Sequence, residues 1–187
     1  MLAMRWILRG AAAMVIAVAL ADAAPTRGGE TFSAYVDAKG NISLPAGYRT
    51  TWVFLGAWSI AGNEEGAKEL HNVYAQPEAV ATYRATGRWP DGAVLVKEVR
   101  KTVTAELTTG TASRAGQIAV IFVMVKDAKG RFKDNPLWGN GWGWGLFKAP
   151  NLAKQVASDF RTDCLGCHLP AKKSDWIYVD GYPVLRK

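Results

Sequence analysis

The chain predicts an α+β, β-rich fold, a mainly antiparallel sheet with a few short helices and a cysteine-histidine motif near its C-terminus. Three observations carry this. Segments with strand character outnumber those with helical punctuation, the connections between them are short, and several alternate with period two. No internal repeat and no linker interrupts the chain, so one domain is expected over residues 24–187.

The first 23 residues stand apart from that fold. Arg5 and Arg9 form a positive start, Ala11 to Leu20 is a short apolar run, and Ala21-Asp22-Ala23 is a small-x-small cleavage site with Pro25 just beyond. This is the pattern of a secretory signal peptide, so a periplasmic or otherwise exported protein is expected. A retained N-terminal anchor is the alternative. No other apolar run approaches the ~18 residues of a membrane span. Without Arg5, Arg9 and Asp22 the formal +7 of the chain becomes +6. That charge suits an acidic partner or an anionic surface, but no run concentrates it, and it supports no nucleic-acid partner.

Taken in order, "YRTTWVFLGAW" from Tyr48 to Trp58 predicts a fully buried strand, and Leu70 to Ala75 a second, short one. "QPEAVATYRATG" is punctuated as a helix by Pro77 at its first position, Glu78 in its first turn and Gly87 after its last. "RWPDG" predicts a turn with Pro90 at i+1 and Gly92 at i+3. Strands are expected at Ala93 to Lys101 and Gln117 to Val125, followed by a hairpin-like break at "KDAKG". Gly141 to Phe147 and "WIYV" near the C-terminus alternate and predict two more. Residues 25–40 and 104–116 are polar or rich in small side chains and predict loops.

In "GWGWGLF", Trp142, Trp144 and Leu146 share one face, while Gly141, Gly143 and Gly145 make the other. One reading is a core strand with an aromatic face. The other is that the glycine face admits a flat group or a partner's backbone.

"CLGCH", Cys164 to His168, holds the only two cysteines and one of the two histidines. A cysteine pair in an exported chain ordinarily means a disulfide. Cys-x-x-Cys-His, however, is the attachment signature of c-type haem. Thiols at i and i+3 lie on one helical turn and can bond to the two vinyl groups, and the next histidine is carried under the iron as its ligand. One covalent haem c per chain is therefore expected, held by Cys164 and Cys167, with His168 on the metal. A zinc site needs about four ligands, and only His71 is left to add to these three. Asn151 as N-cap and Leu152, Val156 and Phe160 at i, i+4 and i+8 predict a short helix leading into the motif, and Leu169-Pro170 predicts an extended exit.

In "AVLVKEVRK", Ala93, Leu95, Lys97 and Val99 share a face. Val94, Val96, Glu98 and Arg100 share the other, which ends in charges and is expected to meet solvent. Lys97 is then a charge on the inner face, costly unless it is paired or neutral. It can be a snorkelling or carboxylate-paired lysine, or a functional one.

"HNVYAQPEAVATYRATGRWPDGAVLVKEV", "VKDAKGRF", "CLGCH" and "DGYPVL", in that order, resemble the cytochrome P-460 family over most of the mature chain. The resemblance implies that the lysine of the "VKE" strand, here Lys97, is joined covalently to the haem macrocycle. It also implies a homodimer. Hydroxylamine-oxidising members place a distal glutamate three residues before the valine of "VKD", and this sequence has Phe122 there. In that respect the chain is similar to the gas-binding cytochrome c′-beta branch, whose distal pocket is capped by phenylalanine. Glu98, on the wrong face, and Glu106, in an expected loop, are the remaining nearby carboxylates.

Three function classes follow. The first is an oxidoreductase acting on hydroxylamine or a similar small nitrogen compound, served by a redox partner protein. The second is a binding protein for nitric oxide or carbon monoxide. The third is an electron carrier, which needs a strong sixth ligand. Met124 and His71 are the only candidates for that ligand in the mature chain. Met124 shares a face with Phe122, Val120 and Ile118 and is expected to pack in the core, and His71 to be a hydrogen-bonded structural histidine. An open distal position is therefore expected.

Overall fold

The computed structural model describes residues 32–62 and 66–186. The expected leader lies outside the described residues, and so do residues 25–31 of the first expected loop.

One antiparallel sheet dominates. A helical turn, α1 (Tyr48–Thr51), leads into β1 (Val53–Ala61) and β2 (Ala67–Ala75). Helix α2 (Pro77–Thr86) then connects to β3 (Val94–Leu107) and β4 (Gly110–Lys126). The short β5 (Trp138–Gly139), β6 (Trp142–Lys148) and β7 (Asn151–Gln155) follow. The sheet order is β1-β2-β3-β4-β6-β5, with β7 also paired to β6. After it come two single helical turns, α3 (Phe160–Asp163) and α4 (Leu165–His168), and three 3-10 turns. Among the described residues no helix is long and apolar enough to cross a membrane.

Both faces of the central strands are buried. On one face Val73, Leu95, Met124, Trp142 and Trp144 pack beneath the C-terminal segment with Phe160, Ile177 and Tyr182. On the other, Val94, Val96, Ile121, Val123 and Phe147 pack with Ile42 and Tyr48. The face of Glu98 is therefore a second core and not the expected solvent face. Val94, Val96 and Glu98 are each 0% exposed. The carboxylate is accommodated by three donors: Tyr48 Oη at 2.5 Å, Arg49 Nε at 2.5 Å and Arg100 Nε at 3.1 Å. Charges that look like a wet edge in the sequence thus close a buried network.

Several element boundaries depart from the sequence reading. Tyr48 to Trp58 is a helical turn followed by a strand, and β1 is largely exposed along its length because it is an edge strand. Residues 104–116 are no loop: β3 and β4 continue as a two-stranded ribbon closed by Thr108 and Thr109, which the β-branched Thr102, Val103, Thr104 and Thr111 suit. Glu106 is in that ribbon, paired with Thr111. Asn151 starts a strand and not a helix, because pairing with β6 outweighs the weak helical period, and the cap of the following turn is Asp159, which accepts from Arg161 N at 2.8 Å. Pro170 is accommodated in the first turn of a 3-10 helix, Leu169–Ser174, so the exit is not extended. "WIYV" forms no strand, since Trp176 has a positive φ. The turn after Trp89 runs from Pro90, whose carbonyl accepts from Ala93 N at 3.0 Å. Gly92 takes its left-handed position, φ 81°. The glycine face of β6 is filled from within the chain: a Cβ on Gly143 would meet the Trp138 ring at 2.6 Å.

Glu98→Ala strips the acceptor from two arginines and a buried tyrosine and leaves a void. It should cost about 3 kcal/mol in urea unfolding, read as a lower midpoint at unchanged slope.

Candidate functional site

The site lies on the sheet face that the C-terminal segment covers, and strand register builds it. Val73, Lys97, Phe122 and Leu146 stand in one row across β2, β3, β4 and β6. Leu95, Met124 and Trp144 form the row beside it, and Trp58, His71 and Val99 the row on its other side. Opposite these rows, α4 and the following turns bring Cys167, His168, Ile177, Tyr178 and Tyr182. Together they enclose a largely apolar cavity of about 340 Å³. That lies within the ~300–1,000 Å³ typical of small-molecule sites. A narrow slot of about 50 Å³ runs from Lys97 and Phe122 to Cys164 and His168.

Lys97 is the charge in this apolar wall. Burial holds its ammonium below the usual lysine range, and the two cysteines and Glu69 oppose that shift only in part. Among the described residues no carboxylate is bonded to it; its Nζ stands 4.4 Å from the centroid of the Phe122 ring. The expected inner-face position therefore holds, and the strand register brings Phe122 into contact with it.

His168 is oriented from behind. Its Nδ1 lies 2.6 Å from the Trp176 carbonyl oxygen, which requires Nδ1–H as the donor and leaves Nε2 as the free lone pair. The Trp144 ring meets the imidazole edge-on at 4.9 Å and 77°. Burial lowers the pKa of His168, so the neutral, electron-donating form is favoured.

The two cysteines are both free thiols, so the motif is not closed as a disulfide. Cys164 is buried, and burial pushes its thiol up to about 11. Cys167 is exposed, and the Tyr178 hydroxyl donates to its carbonyl at 2.5 Å. Among the described residues no group of three or more His, Cys, Asp and Glu side chains is placed to hold a bare metal ion. An apolar cavity with Cys167 on its wall, Cys164 in the adjoining slot and an imidazole with one free nitrogen suit a flat, largely apolar group that carries its own metal, as haem does.

His71 and Met124, the two candidates for a sixth ligand, both line the cavity. Met124 belongs to the core cluster, as expected. His71 is hydrogen-bonded as expected, to Glu69 Oε2 at 3.3 Å, yet it also faces the site. What the sequence does not reveal is its partner, because Glu69 precedes the short strand that the sequence suggests. Trp58, Tyr178 and Tyr182 were not anticipated here. Glu98 lies on the opposite face and Glu106 out on the ribbon.

A family model described as cytochrome P460 matches residues 45–179. The matched span includes Lys97, Phe122, Cys164, Cys167 and His168. No curated protein matches the chain.

With only the Phe122 ring and the more distant Glu69 to offset the cost of its burial among the described residues, Lys97 should destabilise the haem-free chain. In a C164S/C167S background, Lys97→Met should raise stability by on the order of 1 kcal/mol. A folded pKa below 10.5 means that the unfolded chain binds more protons, so the penalty of the native lysine is greatest at low pH. The gain from methionine should therefore shrink as pH rises to 10.5, in urea titrations taken across that range.

Proposed function

As the chain belongs to the cytochrome P460 family, whose haem is covalently bound, we propose that it is an exported mono-haem c-type cytochrome whose cavity binds small nitrogen species, nitric oxide above all. The observation that carries the reading is that Lys97, Phe122, Cys167 and His168 line one apolar cavity.

Each residue has a role in it. Cys164 and Cys167 would hold the cofactor through thioethers to its two vinyl groups. His168 would offer Nε2 to the iron, and Lys97, on the wall of the same cavity, would be the residue joined to the macrocycle. A desolvated lysine is more often the neutral amine, the form able to act as a nucleophile. Phe122 shields the distal side from water and contributes no proton acceptor. Haem bound here would supply an iron able to bind small diatomics and exchange electrons. Small neutral ligands enter an apolar space at little desolvation cost. One domain over residues 24–187, loss of residues 1–23 on export and assembly as a homodimer complete the reading, all three resting on the sequence and the family resemblance.

One observation favours a second reading, the oxidation of hydroxylamine or a similar compound. His71 faces the same cavity and is paired with Glu69. Burial lowers the pKa of His71, so a neutral imidazole is available there as a proton acceptor.

Protein matured with its export machinery should keep haem through acid extraction and denaturation. A haem-peptide digest should show three attachment points in the parent and two in Lys97→Ala, whose spectrum should also change. The apoprotein mass with full release of haem would overturn the reading.

General-base assistance is worth ~10²–10⁴ in rate, so the native protein should oxidise hydroxylamine slowly and bind nitric oxide readily. Phe122→Glu should raise the oxidation rate. Brisk turnover by the native protein that is lost in His71→Gln would decide for the second reading. A low-spin ferrous spectrum lost in Met124→Leu or His71→Gln would point to an electron carrier instead.

A further inference from the structure

We propose that Asp175, clamped by Lys126 and Trp142, is a positioning residue that sets the electron donation of His168. The inference rests on the reading that His168 ligates the haem iron.

The carbonyl that accepts from His168 belongs to Trp176, and its backbone is held in an uncommon shape. Asp175 and Trp176 have φ values of 56° and 68°, two consecutive left-handed residues neither of which is glycine. A bulky residue in that region costs of order 1–3 kcal/mol and persists only where the surroundings fix it. The side chain of Asp175 supplies that fixing. Its carboxylate accepts from Lys126 Nζ at 2.8 Å and from the indole N–H of Trp142 at 3.2 Å. Lys126 also stands over the Trp142 ring at 4.8 Å. Trp142 is 0% exposed and the Lys126 side chain 13%, so Asp175, itself 37% exposed, is held from the sheet side by two groups that are largely buried.

The chain of contacts is short. β4 and β6 hold Asp175; the turn at Asp175–Trp176 aims a carbonyl; the carbonyl holds the N–H of His168 at 2.6 Å. A firm acceptor on Nδ1–H makes the imidazole more basic at Nε2. A more basic ligand favours ferric over ferrous iron and lowers the reduction potential. Releasing the carbonyl should do the reverse.

The test is a redox titration of the purified holoprotein and three variants, with thermal unfolding alongside. Asp175→Gly keeps the left-handed backbone without strain but removes the clamp. Lys126→Met removes the cation and leaves Asp175 in place. Asp175→Asn tolerates a positive φ and keeps an oxygen for Trp142. Loss of an outer-shell partner typically changes ligand strength ~10–100-fold. We expect the potential to rise by at least about 59 mV, a tenfold change for one electron, in the glycine and methionine variants. Asp175→Asn should lie between them and the parent.

A lowered melting temperature with an unchanged potential would show a structural role only and overturn the proposal, as would no change in either. If Asp175→Gly does not fold, Lys126→Met decides alone. If the parent carries no covalent haem, the functional reading fails separately. The clamp is then judged by nitrogen-15 NMR of His168, where an Nδ1–H tautomer unchanged in Lys126→Met would overturn it.

Discussion

The structure depends on one strand that buries a charge on each of its two faces. Successive side chains of a strand point to opposite sides, so Lys97 and Glu98 necessarily face different cores. Glu98 meets three donors at 2.5–3.1 Å, and that network can be satisfied in only one register. A slip of one residue would carry the carboxylate, with Arg100, to the side of the apolar cavity and leave the ammonium against Arg49. The cost of either misplacement is several kcal/mol. The anchoring of Glu98 therefore fixes where Lys97 points, and pairing with β2 and β4 places Val73 and Phe122 on either side of it.

The opposite wall is built by a different principle. The segment after β7 forms turns rather than strands, and these are fixed by hydrogen bonds made within the segment itself. Asp159 caps the turn before the cysteines by accepting from Arg161 N. Ser174 Oγ donates to the carbonyls of Ala171 and Ile177 at 3.0 and 2.7 Å. Trp176 N donates to the Ala171 carbonyl at 2.9 Å. The cysteines and His168 thus sit on short helical turns whose ends are satisfied locally, packed against a rigid aromatic surface of Trp144 and Phe160.

The sheet was legible in the sequence because it rests on alternation, and the residues that meet at the cavity drew notice for local reasons. CLGCH names its own chemistry, and Lys97 stands out as a charge on an apolar face. What was not legible depends on partners distant in sequence. Nothing local says that the face of Glu98 is covered, since Tyr48 lies 50 residues away. Polar residues 104–116 look like a loop because their stability as a ribbon comes from cross-strand pairing and not from burial. The helical period from Asn151 was overridden by pairing with β6, and Asp175 and Trp176 sit within an alternating stretch that gives no sign of a left-handed turn. For His71 the sequence favours a hydrogen-bonded structural role over that of a sixth ligand; its partner Glu69 is not identified, because Glu69 falls outside the strand that the sequence suggests.

The composition of the cavity also restricts what can occupy it. Its walls are almost wholly apolar, and its one amine lacks a carboxylate partner. A cation entering would lose its hydration and meet the positive end of Lys97 whenever that amine is protonated, with only the Phe122 ring and the more distant Glu69 to compensate. A neutral diatomic faces neither penalty. An N–H or O–H substrate lies between these cases, since it enters neutral and needs an acceptor for the proton it gives up. The distinction between binding and turnover thus falls on whether the imidazole of His71, one row from Lys97 and backed by Glu69, can reach that proton.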